Sequence, residues 1–375
     1  MATYKDPDNL VVALNDRAKT GNLRQLEISS NQIDFWSNDY LGYSKLDVED
    51  TGSNIHSGFH GSTGSRLISG NSRVFLDFEA YLATYHRSES ALVFNSGYNA
   101  NLGLMSCVPR KGDLVLFDEL IHASLYDGIR QSHAKHFKFS HNDLSSLEGL
   151  VERYSSKFKN VFIVVESVYS MDGDVAPLKD FIEIKKNYSN LYFVVDEAHA
   201  LGTIGGRGAG LVDELGLEDK VFARVFTYGK SLGCHGAAVI GSQILVDYLV
   251  NFSRPLIYTT ALPDSAVLRI RHSYSWLERG LNFSELQKNI GYFKSKTNGV
   301  LNFLDSDTPI QSLVCGSNDL ANRIEMELRS KGFNVKGIKS PTVRIGSERI
   351  RFCIHSYNTK SQIDNLFEVL TEAVN

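Results

Sequence analysis

One lysine stands among small residues in the stretch Val225-Phe226-Thr227-Tyr228-Gly229-Lys230-Ser231-Leu232-Gly233-Cys234-His235-Gly236-Ala237-Ala238. An apolar run, Val221 to Phe226, leads into it. Glycines around a single amine let backbone and ligand approach where a Cβ would collide. An amine held beside a strand end suits a Schiff base with an aldehyde cofactor. Upstream, Asp196-Glu197-Ala198-His199 follows the apolar run Leu191 to Val195. A carboxylate there is placed to keep a pyridine nitrogen protonated. The chain reads as a scaffold that brings Asp196 and Lys230 to one ring.

Two plainer readings compete. A lysine after a strand is most often solvated surface. Asp-Glu-Ala-His and Gly-Lys-Ser are also the strings of a nucleotide-driven helicase. A P-loop, however, needs a Gly five residues before its Gly-Lys, and Arg224 stands there. The Gly-Lys also follows the acidic box here, whereas in those motors it comes first.

The bulk properties narrow the class. A chain of 375 residues holds a large core and more than one domain. Its net charge of −4 provides no basic field for nucleic acid or an anionic membrane. Cys107, Cys234, Cys315 and Cys353 are scattered, without metal-ligand spacing, as expected of free thiols in a reducing compartment. No run is long and apolar enough to span a bilayer. These features predict a soluble cytoplasmic protein.

Elements must now be found to carry the two residues. The runs Ala91–Phe94, Leu114–Phe117, Val161–Val165, Leu191–Val195 and Val221–Phe226 alternate with helical periods such as Phe75 to Tyr85 and Leu178 to Lys186. Near-continuous apolar runs separated by helices predict an α/β fold with a mainly parallel sheet covered on both faces. Polar residues collect just past the strand ends, where open sheets bind ligands. Asn95-Ser96-Gly97-Tyr98 joins a strand to a helix N-terminus, a ready phosphate site. The glycine-rich passage Gly52 to Gly70 embeds Arg66, Leu67 and Ile68, which favours a packed loop near the site over a linker. Ser37 to Tyr43 reads as an ordered functional loop rather than core. An N-terminal arm (1–45), a large domain (46–270) and a small α+β domain (271–375) are expected. In the last, strands fall at Ile310–Val314, Asn334–Val335 and Arg349–Ile354, with helices at Ser317–Lys331 and Lys360–Val374.

A pyridoxal phosphate enzyme needs a lysine, an acid at the ring nitrogen, a phosphate cup and a grip on the substrate carboxylate. The grip decides which bond at Cα stands perpendicular to the ring, and a planar bidentate Arg suits it. Arg351, on the run Arg349 to Cys353, is the candidate; strand alternation points it away from Phe352.

Taken together, Ser37-Asn38-Asp39-Tyr40-Leu41-Gly42, Glu166 through Asp174, Asp196-Glu197-Ala198-His199, Thr227-Tyr228-Gly229-Lys230 and Arg349-Ile350-Arg351 resemble the α-oxoamine synthases. These are a branch of the fold-type-I pyridoxal phosphate transferases, similar in fold to aspartate aminotransferase. The resemblance implies roles. Lys230 is the Schiff-base lysine and moves the Cα proton, Asp196 pairs with the ring nitrogen, His199 bonds the ring's phenolic oxygen, and His122 stacks on the ring. Gly97 and Tyr98 offer amides to the phosphate, and Ser167 and Thr227 line the cofactor. Arg351 holds the amino-acid carboxylate with Asn38 and Thr342 nearby, and Arg24 lies in the acyl region. Thr259 or Thr260 reaches the phosphate of a neighbouring subunit, which implies a homodimer with shared active sites.

The implied reaction is a decarboxylative condensation of an amino acid with an acyl thioester on CoA or carrier protein. L-alanine and a pimeloyl chain are favoured, which implies a place in biotin biosynthesis. Glycine acetyl transfer, aminolevulinate synthesis and serine palmitoyl transfer are the rivals within the family. A cofactor-free binding protein is the rival outside it, against which Lys230, Asp196, His199 and His122 argue jointly. Two departures stand out: Gly42 to Gly61 looks shorter than is usual in the family, and Phe75 occupies the place of a family histidine.

Overall fold

The computed structural model describes residues 6–19, 23–26, 28, 32–47, 61–297 and 301–374. Most of the stretch between Gly42 and Gly61 therefore lies outside the described residues. Seven strands form the large sheet: β1 Ser90–Phe94, β2 Leu114–Asp118, β3 Lys135–Phe139, β4 Val161–Glu166, β5 Leu191–Asp196, β6 Val221–Thr227 and β7 Ala237–Gly241. Their order across the sheet is β1-β7-β6-β5-β4-β2-β3. The pairs from β6 to β3 are parallel, while β7 runs antiparallel between β1 and β6.

Every side chain of β2 and β4 is buried. Alternation sends Val161, Ile163 and Val165 into one apolar cluster, and Phe162 and Val164 into the cluster on the other face. Both faces are therefore covered, which is why these strands lack polar alternation. Each such buried side chain contributes roughly 1.5–3 kcal/mol. The edge strand β3 has a different composition, Lys-His-Phe-Lys-Phe, with only Phe139 fully buried. Lysines on an edge discourage further pairing, and their charge hid this strand from an apolar-run reading.

A second sheet of three strands holds β8 Ile310–Val314, β9 Lys336–Ile338 and β10 Arg349–Cys353, in the antiparallel order β9-β10-β8. The strand expected at Asn334–Val335 instead falls at Phe333–Asn334 and pairs in parallel with Ile33–Asp34 near the N-terminus. The helix Asp264–Glu278 runs unbroken through position 270. In the Ser37–Tyr43 loop, Tyr40, Leu41 and Tyr43 are fully buried, so the loop is core as well as site. Helix α1 (Asp8–Lys19) buries no side chain, and Leu10, Val11, Val12 and Leu14 stay exposed. No helix among the described residues is long and apolar enough to cross a membrane.

Candidate active site

The C-terminal ends of β4, β5 and β6 put Glu166, Asp196 and Thr227 side by side, with Glu166 and Asp196 paired in the ladder. Asp196 is buried, and both its oxygens are held. Oδ1 accepts from the Ala198 N–H at 2.9 Å and Oδ2 from Asn101 Nδ2 at 2.8 Å. Asn101 also donates to Ser124 Oγ (3.0 Å), which lies 2.7 Å from His122 Nδ1. The Ser124 N–H donates to the same ring nitrogen at 3.2 Å. One chain of bonds thus runs from Asp196 to His122 and places the imidazole proton on Nε2. Glu197 faces the other way and accepts from the N–H groups of Leu211 and Val212, which makes it structural.

Lys230 sits in the hairpin loop between β6 and β7. The Tyr228 N–H donates to Gly236 O (3.0 Å) and the Gly233 N–H to Lys230 O (2.8 Å). Gly233 has φ 59°, and a Cβ there would stand 2.2 Å from the Ser44 N. Only glycine lets the lysine loop lie this close to the N-terminal loop. Burial draws the Lys230 pKa below the ordinary lysine value, although Asp196 and Glu166 pull the other way. Burial, reinforced by the Asp196 charge, pushes the Glu166 carboxyl well above the usual range. His199 is held neutral by burial and by the cations Lys230 and Arg351, and its Nδ1 lies 2.8 Å from the Tyr40 hydroxyl.

These groups open on a cavity of about 260 Å³. Lys230, Asp196, His199 and His122 line it together with Asn38, Gly97, Tyr98 and Thr227. One wall is the N-terminus of α2 (Gly97–Cys107), capped by Ser96 Oγ, which accepts from the Asn99 N–H at 3.2 Å. First-turn N–H groups lie outside the helix's own ladder and favour an anion. A Cβ on Gly97 would meet Thr227 Cγ2 at 2.5 Å, so glycine is what lets this helix end press against β6. Two buried oxygens beside the cavity, Thr227 Oγ1 and Glu166 Oε1, have no hydrogen-bond partner among the described residues. Buried polar atoms are rarely left so. A phosphate-bearing aromatic ring with its own donors and acceptors fits this set.

Arg351 approaches from the small sheet. It donates from Nε to Ser170 O (2.6 Å) and from Nη2 to Asn38 Oδ1 (2.9 Å) and the Tyr40 hydroxyl (3.3 Å). Phe352 points into the core against Phe293 and Phe303, as alternation requires. Arg349 pairs with Asp172.

Other expected residues lie apart from this cavity. Ser167 follows Glu166 on an extended segment and so turns away, fully buried, donating to Asp196 O at 3.1 Å. Thr342 and Arg24 share a separate hollow of about 640 Å³, joined by an Arg24 Nη2 to Thr342 Oγ1 bond of 3.4 Å. Thr259 and Thr260 line a small hollow with Arg66, Phe75 and Asn95. There Arg66 forms a buried pair with Glu79 (2.8 Å) and stacks 4.1 Å over Phe75, so the aromatic ring serves packing. Sequence reasoning assigned no task to Asn101, Ser124, Tyr40 or Glu166. Tyr40 and Glu166 stood inside motifs already singled out. Asn101, one helical turn after Gly97 on the helix that opens the cavity, carried a weaker signal.

A family model for class I and II aminotransferases matches residues 30–370. An 8-amino-7-oxononanoate synthase of Emericella nidulans is 41% identical, over 97% of this chain and 94% of its own. The chain belongs to the class I and II aminotransferase family, in its α-oxoamine synthase branch. A solved 8-amino-7-oxononanoate synthase from Francisella tularensis is 30% identical, covers 92% of this chain and 98% of its own, and superposes with a TM-score of 0.77. A solved SPT with PLP is 27% identical over 98% of this chain and 96% of its own, with a TM-score of 0.88. The enzyme is thus a fold-type-I, pyridoxal phosphate-dependent acyltransferase.

Proposed function

We propose that the enzyme condenses L-alanine with a pimeloyl thioester, releasing carbon dioxide and the free thiol and forming 8-amino-7-oxononanoate. The relative that is 41% identical over nearly the whole chain carries this reading. Bound in the cavity, pyridoxal phosphate supplies an aldehyde that captures amines and a ring that accepts an electron pair from Cα. Gly97 and Tyr98 at the α2 N-terminus would hold the phosphate beside Thr227, and His122 would pack against the ring. Asp196, fixed by Ala198 and Asn101, would keep the ring nitrogen protonated. His199, braced by Tyr40, would donate to the ring oxygen. Arg351 takes the amino-acid carboxylate, with Asn38 beside it.

Lys230, its pKa lowered by burial, removes the Cα proton and later returns one. Between these steps a bond forms from Cα to the acyl carbon, the carbon–sulfur bond breaks, and the carboxylate leaves as carbon dioxide. Arg24 and Thr342 would meet the acyl substrate in their own hollow.

The active form is a homodimer in which Thr259 or Thr260 completes the partner's phosphate site. The exposed apolar residues of α1 support association. The working units are an arm (1–45), a large domain (46–270) and a small domain (271–375).

The superposition on serine palmitoyltransferase favours one second reading, L-serine with a long acyl chain. Incubating the holoenzyme with alanine, glycine or serine and with acetyl, pimeloyl or palmitoyl thioesters decides between them. Turnover only with alanine and pimeloyl thioester is expected; preference for serine and palmitoyl thioester would replace the first reading with the second.

A further inference from the structure

Away from the cavity, His141 lies between two carboxylates. Its Nδ1 is 2.9 Å from Asp118 Oδ1 at the end of β2, and its Nε2 is 2.7 Å from Asp174 Oδ2. Asn142 fastens the same two acids, with its N–H on Asp118 (2.8 Å) and its amide on Asp174 (2.6 Å). The imidazole stands edge-on to Tyr169 at 4.4 Å. With a carboxylate on each nitrogen, only the doubly protonated ring satisfies both contacts.

Asp174 and Tyr169 belong to the turn between Val168 and Val175, closed by the Tyr169 N–H on Asp174 O at 3.0 Å. The far side of that turn grips the small sheet. Ser170 O accepts from Arg351 at 2.6 Å, Met171 O from Ser312 at 2.6 Å, and Asp172 pairs with Arg349. Gly173 O accepts from Ser306 and Thr308. The turn is thus the piece of the large sheet's rim that touches Arg351 directly.

We propose that His141 is a positioning residue: clamped between Asp118 and Asp174, it holds the Val168–Val175 turn so that Ser170 O keeps the Arg351 guanidinium aimed beside Asn38. Its effect on substrate rests on the reading of Arg351 as the carboxylate grip. Burial alone would lower the His141 pKa, but the bonds to Asp118 and Asp174 outweigh it and push the pKa up to about 9. Among the described residues, Asp172, engaged with Arg349, lies beside the same cluster. The clamp is therefore intact in the folded enzyme below about pH 9 and released as pH rises through that value. Its contribution to stability is full below the unfolded histidine value and lost over the same rise.

The test uses holoenzyme with His141→Gln and Asp174→Asn, so that failure of one variant to fold leaves the other. Hydrogen-exchange protection of residues 168–175 and 349–353 is measured without substrate, and KM and kcat for the amino acid with it. Protection should fall about tenfold in both segments. The amino-acid KM should rise roughly tenfold to a hundredfold, with kcat and the thioester KM within twofold. In the wild type the amino-acid KM should rise above about pH 9, and this limb should vanish in His141→Gln. Unchanged protection in both segments overturns the proposal, as does an equal rise in both KM values. Lost protection with an unchanged amino-acid KM upholds the clamp and overturns only the assignment of Arg351.

Discussion

The two ends of the cavity are built differently. At the large-sheet end, strand termini present Thr227 Oγ1 and Glu166 Oε1, buried and without partners among the described residues. At the small-sheet end, Arg351 is already bonded to Ser170, Asn38 and Tyr40. The first end is shaped for a group the polypeptide does not itself provide. The second is aligned by the protein's own bonds before any ligand arrives. Unpaired buried atoms mark where affinity for a resident cofactor resides, whereas a braced guanidinium marks where a transient substrate is oriented.

Substitutions at each end sharpen that contrast. Lys230→Ala should remove the cofactor's near-visible absorbance band and lower turnover by roughly 10⁴-fold or more; retention of the band would break the assignment. Asp196→Asn should lower kcat by roughly 100- to 1,000-fold with much less effect on the amino-acid KM, measured by steady-state kinetics. At the other end, Arg351→Lys should raise the amino-acid KM roughly 10- to 100-fold, as loss of charge-assisted bidentate bonding implies, while cofactor affinity stays unchanged. If Arg351→Lys weakened the cofactor instead, the two ends would not be separate.

Gly97→Ala should weaken cofactor binding by about 1–3 kcal/mol, the cost of overpacking against Thr227, read by titration with pyridoxal phosphate. Glu166→Gln should have the smallest effect, because the wild-type carboxyl is held neutral. A raised folded pKa favours folding below the unfolded glutamate value, and that advantage is lost as pH rises. The glutamine variant should therefore gain thermal stability over wild type by about 2 °C at pH 8 and less at pH 5, measured on protein without cofactor.

Much of this arrangement was legible in the residues. The apolar runs ending at Val165, Val195 and Phe226 announced parallel strands, and the polar residues just beyond them marked the site. β3 was not legible because its two lysines lie exposed at an edge, where no apolar run is needed. Ser167 was misplaced because one step along an extended segment reverses a side chain, and motif spacing does not say which neighbour faces the cavity. Thr342 and Arg24 were expected near their functional partners but meet in another hollow, a tertiary arrangement with no local signature. The His141 clamp has no local signature for a related reason: Asp118 ends one strand, His141 follows a second and Asp174 lies in the turn beyond a third, so the three converge only in space.

Chemical trapping shows directly which lysine carries the cofactor. The holoenzyme is reduced with borohydride, digested, and the phosphopyridoxyl-bearing peptide is sequenced by mass spectrometry. A single modified residue, Lys230, is expected, and none in the Asp196→Asn variant once that protein is freed of cofactor. A label on any other lysine, or no label in a protein that turns over, would contradict that assignment.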